Sequence, residues 1–225
     1  MKKYALIVAA GNGLRMNSDI PKQFLIVNGE PVLMHTIRAF SKIDVIEIIL
    51  VINSSAFDYW KKLCSEYSFS VPHKIIEGGE TRFHSVRNGL NIISDGIVAI
   101  HDGVRPLVSE KIIERSFEIA REKGNAITSV KLKDSIREVT LTGHSKNVNR
   151  NNYYLIQTPQ TFKTQLIKEA YKNVTHYNFT DDAGVFEEST GSEINLTEGD
   201  YTNIKITTPE DLQITALLLS LKTGE

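Results

Sequence analysis

Two rhythms of apolar and polar residues run along the chain. Short apolar runs, "YALIV" at 4–8, "IEIILVI" at 46–52, "HKIIEG" at 73–78, "GIVAIHD" at 96–102 and "AITSVKL" at 126–132, read as strands. Between them lie segments with helical spacing. In "PVLMHTIRAFSKI", Val32, Leu33, Ile37, Phe40 and Ile43 fall on one face. "FDYWKKLCSEYSF", "TRFHSVRNGLNII" and "EKIIERSFEIAREKG" repeat that spacing, the last closing on a glycine. The run at 46–52 is almost wholly apolar, as a strand buried on both faces would be. Strands alternating with helices predict βαβ units and a mostly parallel sheet, an α/β fold.

The rhythm changes from Asp134 to Phe162, where polar alternation replaces apolar runs and no helix is evident. This segment, about 134–162, predicts an antiparallel arm projecting from the sheet. "TNIKIT" at 202–207 reads as a returning strand, and Thr208-Pro209-Glu210-Asp211 opens the last helix with an N-cap threonine and first-turn acids. No repeat or long linker divides residues 1–225, so one domain with an inserted arm is expected.

A chain of 225 residues buries roughly 70% of its unfolded surface and needs no disulfide or metal staple. Cys64 is the only cysteine, which excludes an intrachain disulfide and suits a reducing compartment. A net charge of −1 gives no global field toward nucleic acid or acidic membranes. No run approaches the ~20 apolar residues of a membrane span, and the N-terminal apolar run is too short for a signal sequence. The expectation is a cytoplasmic, soluble enzyme without nucleic-acid or membrane partners.

In open α/β sheets, ligands bind beyond the carboxyl ends of the strands. There the chain places Gly11, Gly13 and Arg15, then Lys22 in "PKQF"; "GGETRFHS" at 78–85; "HDGVRP" at 101–106; and Lys205. Glycines, cations and Asp102 on one edge suit a nucleoside triphosphate with Mg²⁺. The first loop is neither a dinucleotide fingerprint, since Met16 takes the third glycine position, nor a P-loop, since no Gly-Lys-Ser/Thr follows. Asp102 ends an apolar strand, where a carboxylate commonly meets a hydrated cation or caps the next loop. His101 reads as structural. No histidines or cysteines stand at zinc-site spacing, and no Gly-x-Ser-x-Gly elbow exists.

With these residues in hand, "AAGNGLRM…PKQF", "GGETRFHSVRNGL", "HDGVRP", "NRNNYYLIQTPQTF", "TDDAG" and "NIKITTPEDL" are in the order seen in 2-C-methyl-D-erythritol 4-phosphate cytidylyltransferases, and the chain resembles that family from Ala9 to Leu212. The resemblance implies a Rossmann-like, mostly parallel twisted sheet of nucleotidyltransferase type, a homodimer formed through the arm, CTP as substrate and Mg²⁺ as cofactor. It implies attack of a polyol phosphate on the α-phosphorus of CTP, with pyrophosphate leaving. Such a nucleophile is already anionic, so positioning and fixed positive charge, not a general base, carry the chemistry.

Carried over by position, the resemblance implies that Ala9, Ala10, Gly11 and Gly13 line the nucleotide pocket. Arg15 and Lys22 stabilise the α-phosphate and departing pyrophosphate, Gly79 and Ser85 recognise cytosine, and Glu80 also binds the nucleotide. Asp102 lies near Mg²⁺, which the phosphates mainly hold, and near the ribose or acceptor hydroxyls. Lys205 holds the reacting phosphates in line, and Arg150 binds the acceptor phosphate. Arg105 and Ser135 complete a neighbour's acceptor site. Several positions depart from the family's commonest pattern: Gly103 and Val104 replace alanines, Glu80 an aspartate, Ser135 a threonine, and Asp182 and Gly184 a glutamate and a serine. Ribitol-5-phosphate cytidylyltransferases share most of these motifs and stand as the alternative acceptor class. A non-catalytic nucleotide-binding module would be expected to lose Arg15, Lys22, Arg150 and Lys205, all of which are present.

Overall fold

The structure, a computed structural model, describes residues 1–11 and 20–223. In chain order come β1 (Lys3–Val8), β2 (Ile26–Val27), β3 (Glu30–Pro31), α1 (Val32–Ser41), β4 (Ile46–Ile52), α2 (Phe57–Glu66), β5 (Lys74–Glu77), α3 (Arg82–Asn91), β6 (Ile97–Asp102), α4 (Glu110–Lys123) and β7 (Asn125–Lys131). Then follow β8 (Arg137–Val139), β9 (Ser145–Asn147), β10 (Tyr154–Lys163), α5 (Thr164–Asn173), α6 (Asp182–Thr190), β11 (Leu196–Glu198) and α7 (Pro209–Thr223). The apolar and polar pattern assigns no element to β2, β3, α5, α6 or β11.

Seven strands form one sheet in the order β11-β7-β10-β6-β1-β4-β5. β1 pairs in parallel with both β4 and β6, β4 with β5, and β11 with β7, while β10 runs antiparallel between β6 and β7. The fold is α/β, with a mostly parallel sheet. Alternate residues of each central strand serve opposite layers. Ala5, Ile7, Leu50 and Ala99 pack with Leu33, Ile37, Trp60 and Phe117 of α1, α2 and α4. Leu6, Val51, Val98 and Ile100 pack with Val86, Ile167 and Phe186 of α3, α5 and α6. Gly89 brings α3 close to the sheet, since a Cβ there would stand 2.3 Å from Leu6 Cδ1. That close approach fixes where α3 begins, and so where Arg82 stands.

Two expectations are corrected. The arm reaches only to about residue 153, because Tyr154–Lys163 is an interior strand of the main sheet. Its polarity concealed it: Gln157, Thr158, Gln160 and Thr161 are all buried, with hydrogen bonds to neighbouring elements. Pro159, a residue that argues against a central strand, sits where the register shifts between Ile156 and Gln160, so its missing N–H breaks no regular ladder. Residues 203–207, within "TNIKIT", form no strand. They are tied to the loop after β6, with the Ile206 N–H donating to the Val104 carbonyl at 3.0 Å. The Asp211 carboxylate accepts from the N–H groups of Thr207 and Thr208, each at 2.8 Å, tying that segment to the start of α7.

Candidate active site

β1 lies between β4 and β6, so the chain's crossovers diverge on either side of it and leave a cleft at the strands' carboxyl ends. The cleft has two compartments, of about 250 Å³ and 290 Å³. The first is bounded by the loop after β1, the loop before α3, Lys22 and Gln23; the second by β10, Arg105 and Asp181. Arg82, Asp102 and Lys205 line both.

The first compartment is shaped by backbone groups held from behind. The Ala9 N–H donates to the Val51 carbonyl at 2.8 Å, and the Gln23 amide donates to the carbonyls of Ala9 and Gly11 at 2.8 and 3.2 Å. The Ser85 hydroxyl accepts from the Gly79 N–H at 3.0 Å and lies 3.0 Å from the Thr81 carbonyl, closing the 78–81 loop onto α3. Glycine at 103 lets the loop after β6 lie against Ala9, whose Cβ would be 2.8 Å from a Cβ at that position. Lys22 Nζ donates to the Ile206 carbonyl at 2.9 Å, joining the first loop to the segment that carries Lys205.

At the junction, Asp102 is ringed by cations. Its Oδ2 lies 3.1 Å from Lys205 Nζ and 3.2 Å from Arg105 Nε, and its Oδ1 lies 3.6 Å from Arg82 Nε. Burial opposes charge on this carboxyl, but Arg82, Lys205 and Arg105 outweigh it and hold it well below the usual carboxylate range. His101, beneath, is fully buried, and burial pushes its pKa down to about 4. The neutral ring has a determined tautomer. Nε2 faces the Arg105 carbonyl at 3.1 Å and must donate, so Nδ1 accepts from the Thr158 hydroxyl at 3.0 Å. Thr158 Oγ1 in turn accepts from the Asp102 N–H at 3.1 Å. One histidine thus fixes β6, β10 and the Arg105 turn together, as its structural reading anticipates.

Ala9, Ala10, Gly11, Lys22, Gly79, Glu80, Ser85, Asp102 and Lys205 all line the first compartment. Gly13 and Arg15 lie outside the described residues. Arg105 belongs to the cleft of its own chain, because its guanidinium is held by Asp102 three residues earlier and by the Asn203 carbonyl at 2.8 Å. Ser135 and Arg150 are exposed on the arm and line neither compartment, with Arg150 donating to the Lys133 carbonyl. Arg82, Gln23 and Gln160 escaped the sequence reading. Arg82 is the first residue of α3, directly after a threonine N-cap, a signal that was legible within "GGETRF".

A sequence-family model described as 2-C-methyl-D-erythritol 4-phosphate cytidylyltransferase matches residues 4–220. A protein of that name from Bacteroides thetaiotaomicron is 50% identical over 221 residues, covering 97% of this chain and 100% of its own length. Another, from Porphyromonas gingivalis, is 47% identical, covering 97% and 98% respectively. Among solved structures, 4-diphosphocytidyl-2C-methyl-D-erythritol synthase from Anaerococcus prevotii superposes with a TM-score of 0.85 at 32% identity, covering 97% of this chain and 96% of that one. The 2-C-methyl-D-erythritol 4-phosphate cytidylyltransferase from Thermus thermophilus superposes with a TM-score of 0.80 at 31% identity, covering 97% and 98%.

Proposed function

This chain belongs to the 2-C-methyl-D-erythritol 4-phosphate cytidylyltransferase family, and on that premise we propose how its cleft divides the work of the reaction. The enzyme joins CMP from CTP to 2-C-methyl-D-erythritol 4-phosphate, releasing pyrophosphate and forming 4-diphosphocytidyl-2-C-methyl-D-erythritol. An acceptor phosphate oxygen bonds to the α-phosphorus, and the bond to the bridging oxygen breaks. Pyrophosphate leaves with the electron pair. The observation that carries the division of roles is that Arg82, Asp102 and Lys205 line both compartments. Two anionic substrates can therefore meet over shared cations, which offset their repulsion and the charge of the transition state.

In this reading Ala9, Ala10, Gly11 and Gly13 seat the nucleotide, and the 79–85 loop, with Gly79, Glu80 and Ser85, excludes a purine. Lys22 and Arg15 stabilise the α-phosphate and leaving pyrophosphate. Lys205 aligns the attacking phosphate, and Asp102 and Arg105 meet the acceptor. Ser135 and Arg150 reach the acceptor from a second copy. Support for a homodimer comes from the arm's exposed apolar side chains, Val139 and Leu141. The free Cys64 fits a cytoplasmic setting.

Mg²⁺ is suited to this cleft only as an ion carried by the phosphates. Among the described residues no group of three acidic, histidine or cysteine side chains could hold a metal, and Asp102 already faces three cations. Such an ion keeps several waters and needs one or two carboxylates besides phosphate, which Asp102 could supply. When bound, it neutralises triphosphate charge. Pyrophosphate release from CTP and Mg²⁺ tests the reading, with methylerythritol 4-phosphate compared against ribitol 5-phosphate. Turnover is expected with the first; turnover with ribitol 5-phosphate alone would overturn the acceptor assignment.

A further inference from the structure

The first turn of α6 holds a carboxylate that these roles leave unused. Asp182 has no exposed surface. Its Oδ1 accepts from Arg82 Nη1 at 2.8 Å and its Oδ2 from Arg82 Nη2 at 2.7 Å, a two-pronged contact. The Tyr171 hydroxyl donates to Oδ1 at 2.6 Å. Burial and then the neighbouring Asp182 charge push the Tyr171 pKa well above its ordinary value, so it stays a phenol and keeps that proton to donate. The surrounding turn is equally fixed. Gln160 Oε1, on β10, accepts from the N–H groups of Asp182 and Ala183 at 2.9 and 2.8 Å, and Asp181 caps α6 by accepting from the Gly184 N–H at 3.0 Å.

Burying a carboxylate is costly unless it is paired and hydrogen-bonded. Here a guanidinium fork, a phenol and a helix N-terminus meet that cost together. The contact bolts α3 to α6, and its geometry does more. With both terminal nitrogens held, the plane of the Arg82 guanidinium is set, and its Nε is turned to Asp102 Oδ1 at 3.6 Å, between the two compartments.

We propose that Asp182, backed by the Tyr171 hydroxyl, is a positioning residue for cytidylyl transfer, aiming Arg82 at the point where the two substrates meet. The proposal rests on the reading of this cleft as the cytidylyltransferase site. Asp182 touches no substrate and acts through Arg82.

A double-mutant cycle tests it, with steady-state pyrophosphate release and melting temperature measured for each protein. Tyr171→Phe removes one hydroxyl and keeps the ring stacked on Phe83, whose centroid is 4.5 Å away. It should lower kcat about tenfold, the scale of one hydrogen bond to a charged group, while KM for CTP changes less than about twofold. Lysine cannot be held by a fork, so in an Arg82→Lys background the same change should have almost no further effect. Asp182→Asn should lose at least as much turnover as Tyr171→Phe, and Asp182→Glu should recover most of it. An equal loss from Tyr171→Phe in both backgrounds, or wild-type kcat in Tyr171→Phe, would overturn the positioning role. If Asp182→Asn does not fold, the Tyr171 and Arg82 cycle decides alone. No pyrophosphate release by the wild-type chain would instead overturn the reaction reading, and the proposal with it.

Discussion

The cleft and the arm use the same contacts in opposite surroundings. Asp102 sits 3.1 Å from Lys205 and is 7% exposed; Glu138 and Lys146 on the arm hairpin stand 2.8 Å apart, with side chains 58% and 72% exposed. The shorter pair is the weaker, because water screens both of its charges. Apolar groups differ in the same way. Around the cleft Ile100, Val104 and Ile206 are buried, while on the arm Val139 is 64% exposed and Leu141 wholly so. The framework of the cleft is finished within one chain. The arm, by contrast, has apolar groups that its own chain does not cover, and its two predicted acceptor residues point at no cleft of their own.

The largest break in this contrast should come from the cleft. Lys22→Ala and Arg15→Ala are each expected to lower turnover by ~100-fold or more, the scale of losing a charge stabiliser at a transition state. Lys22 also donates to the Ile206 carbonyl, so melting temperature has to be followed beside pyrophosphate release. A Lys22→Ala enzyme with wild-type turnover would remove the lysine from the mechanism.

Next in size is a pH effect confined to the buried side. His101 takes up a proton near pH 6.5 when unfolded, but only near pH 4 when folded. Its folded pKa is depressed, so the unfolded state binds the proton more readily, and stability falls as pH drops from about 6.5 to about 4. The loss is on the order of 3 kcal/mol. Asp102, also depressed, adds its own loss only below its unfolded value of 3.8, so the two windows separate. Denaturant unfolding of wild type and His101→Gln from pH 7 to pH 4 checks this. The variant starts less stable and should show a flatter profile; parallel profiles would assign the slope to other groups.

The arm should give a smaller and different signature. Arg150→Ala is expected to raise KM for the acceptor about tenfold with little change for CTP, as for one charge-assisted contact. Mixing makes the comparison sharper. If the arm of one copy serves the cleft of another, combining Lys22→Ala with Arg150→Ala chains creates one intact site in each mixed dimer. At low acceptor concentration, activity should then recover to about a quarter of wild type. No recovery, despite mixed dimers shown by exchange of differently tagged chains, would mean that Arg150 does not serve the cleft of a second copy.

The same contrast explains what the sequence could tell. Apart from the short pair β2 and β3, the strands and helices up to Lys131 were legible, as apolar runs or as helical spacing of apolar residues. Asp102 was legible as an acid ending an apolar strand, and Lys22 as a cation near a glycine loop. β10 was not, because a strand that supplies Thr158 and Gln160 to buried hydrogen bonds has to be polar where a core strand is usually apolar. Asp182 was hidden for a further reason. Its partner Arg82 is 100 positions away, and neither residue's local pattern signals the other. The contacts that hold Arg105 in the cleft of its own chain were not legible either, because they depend on the Asn203 carbonyl, which only folding brings near.

The smallest effect is the most direct check on the opening contrast. Lys146→Ala removes the 2.8 Å pair with Glu138 from a hairpin that is exposed throughout. With both side chains in water, stability should change by about 0.5 kcal/mol or less, and high salt should erase most of that. The measurement is denaturant unfolding at low and high salt, with turnover followed in parallel. A loss well above that scale would mean that the pair is shielded from water in the folded protein. Since its own chain leaves it exposed, the shield would have to be a second copy, and the effect should then weaken on dilution.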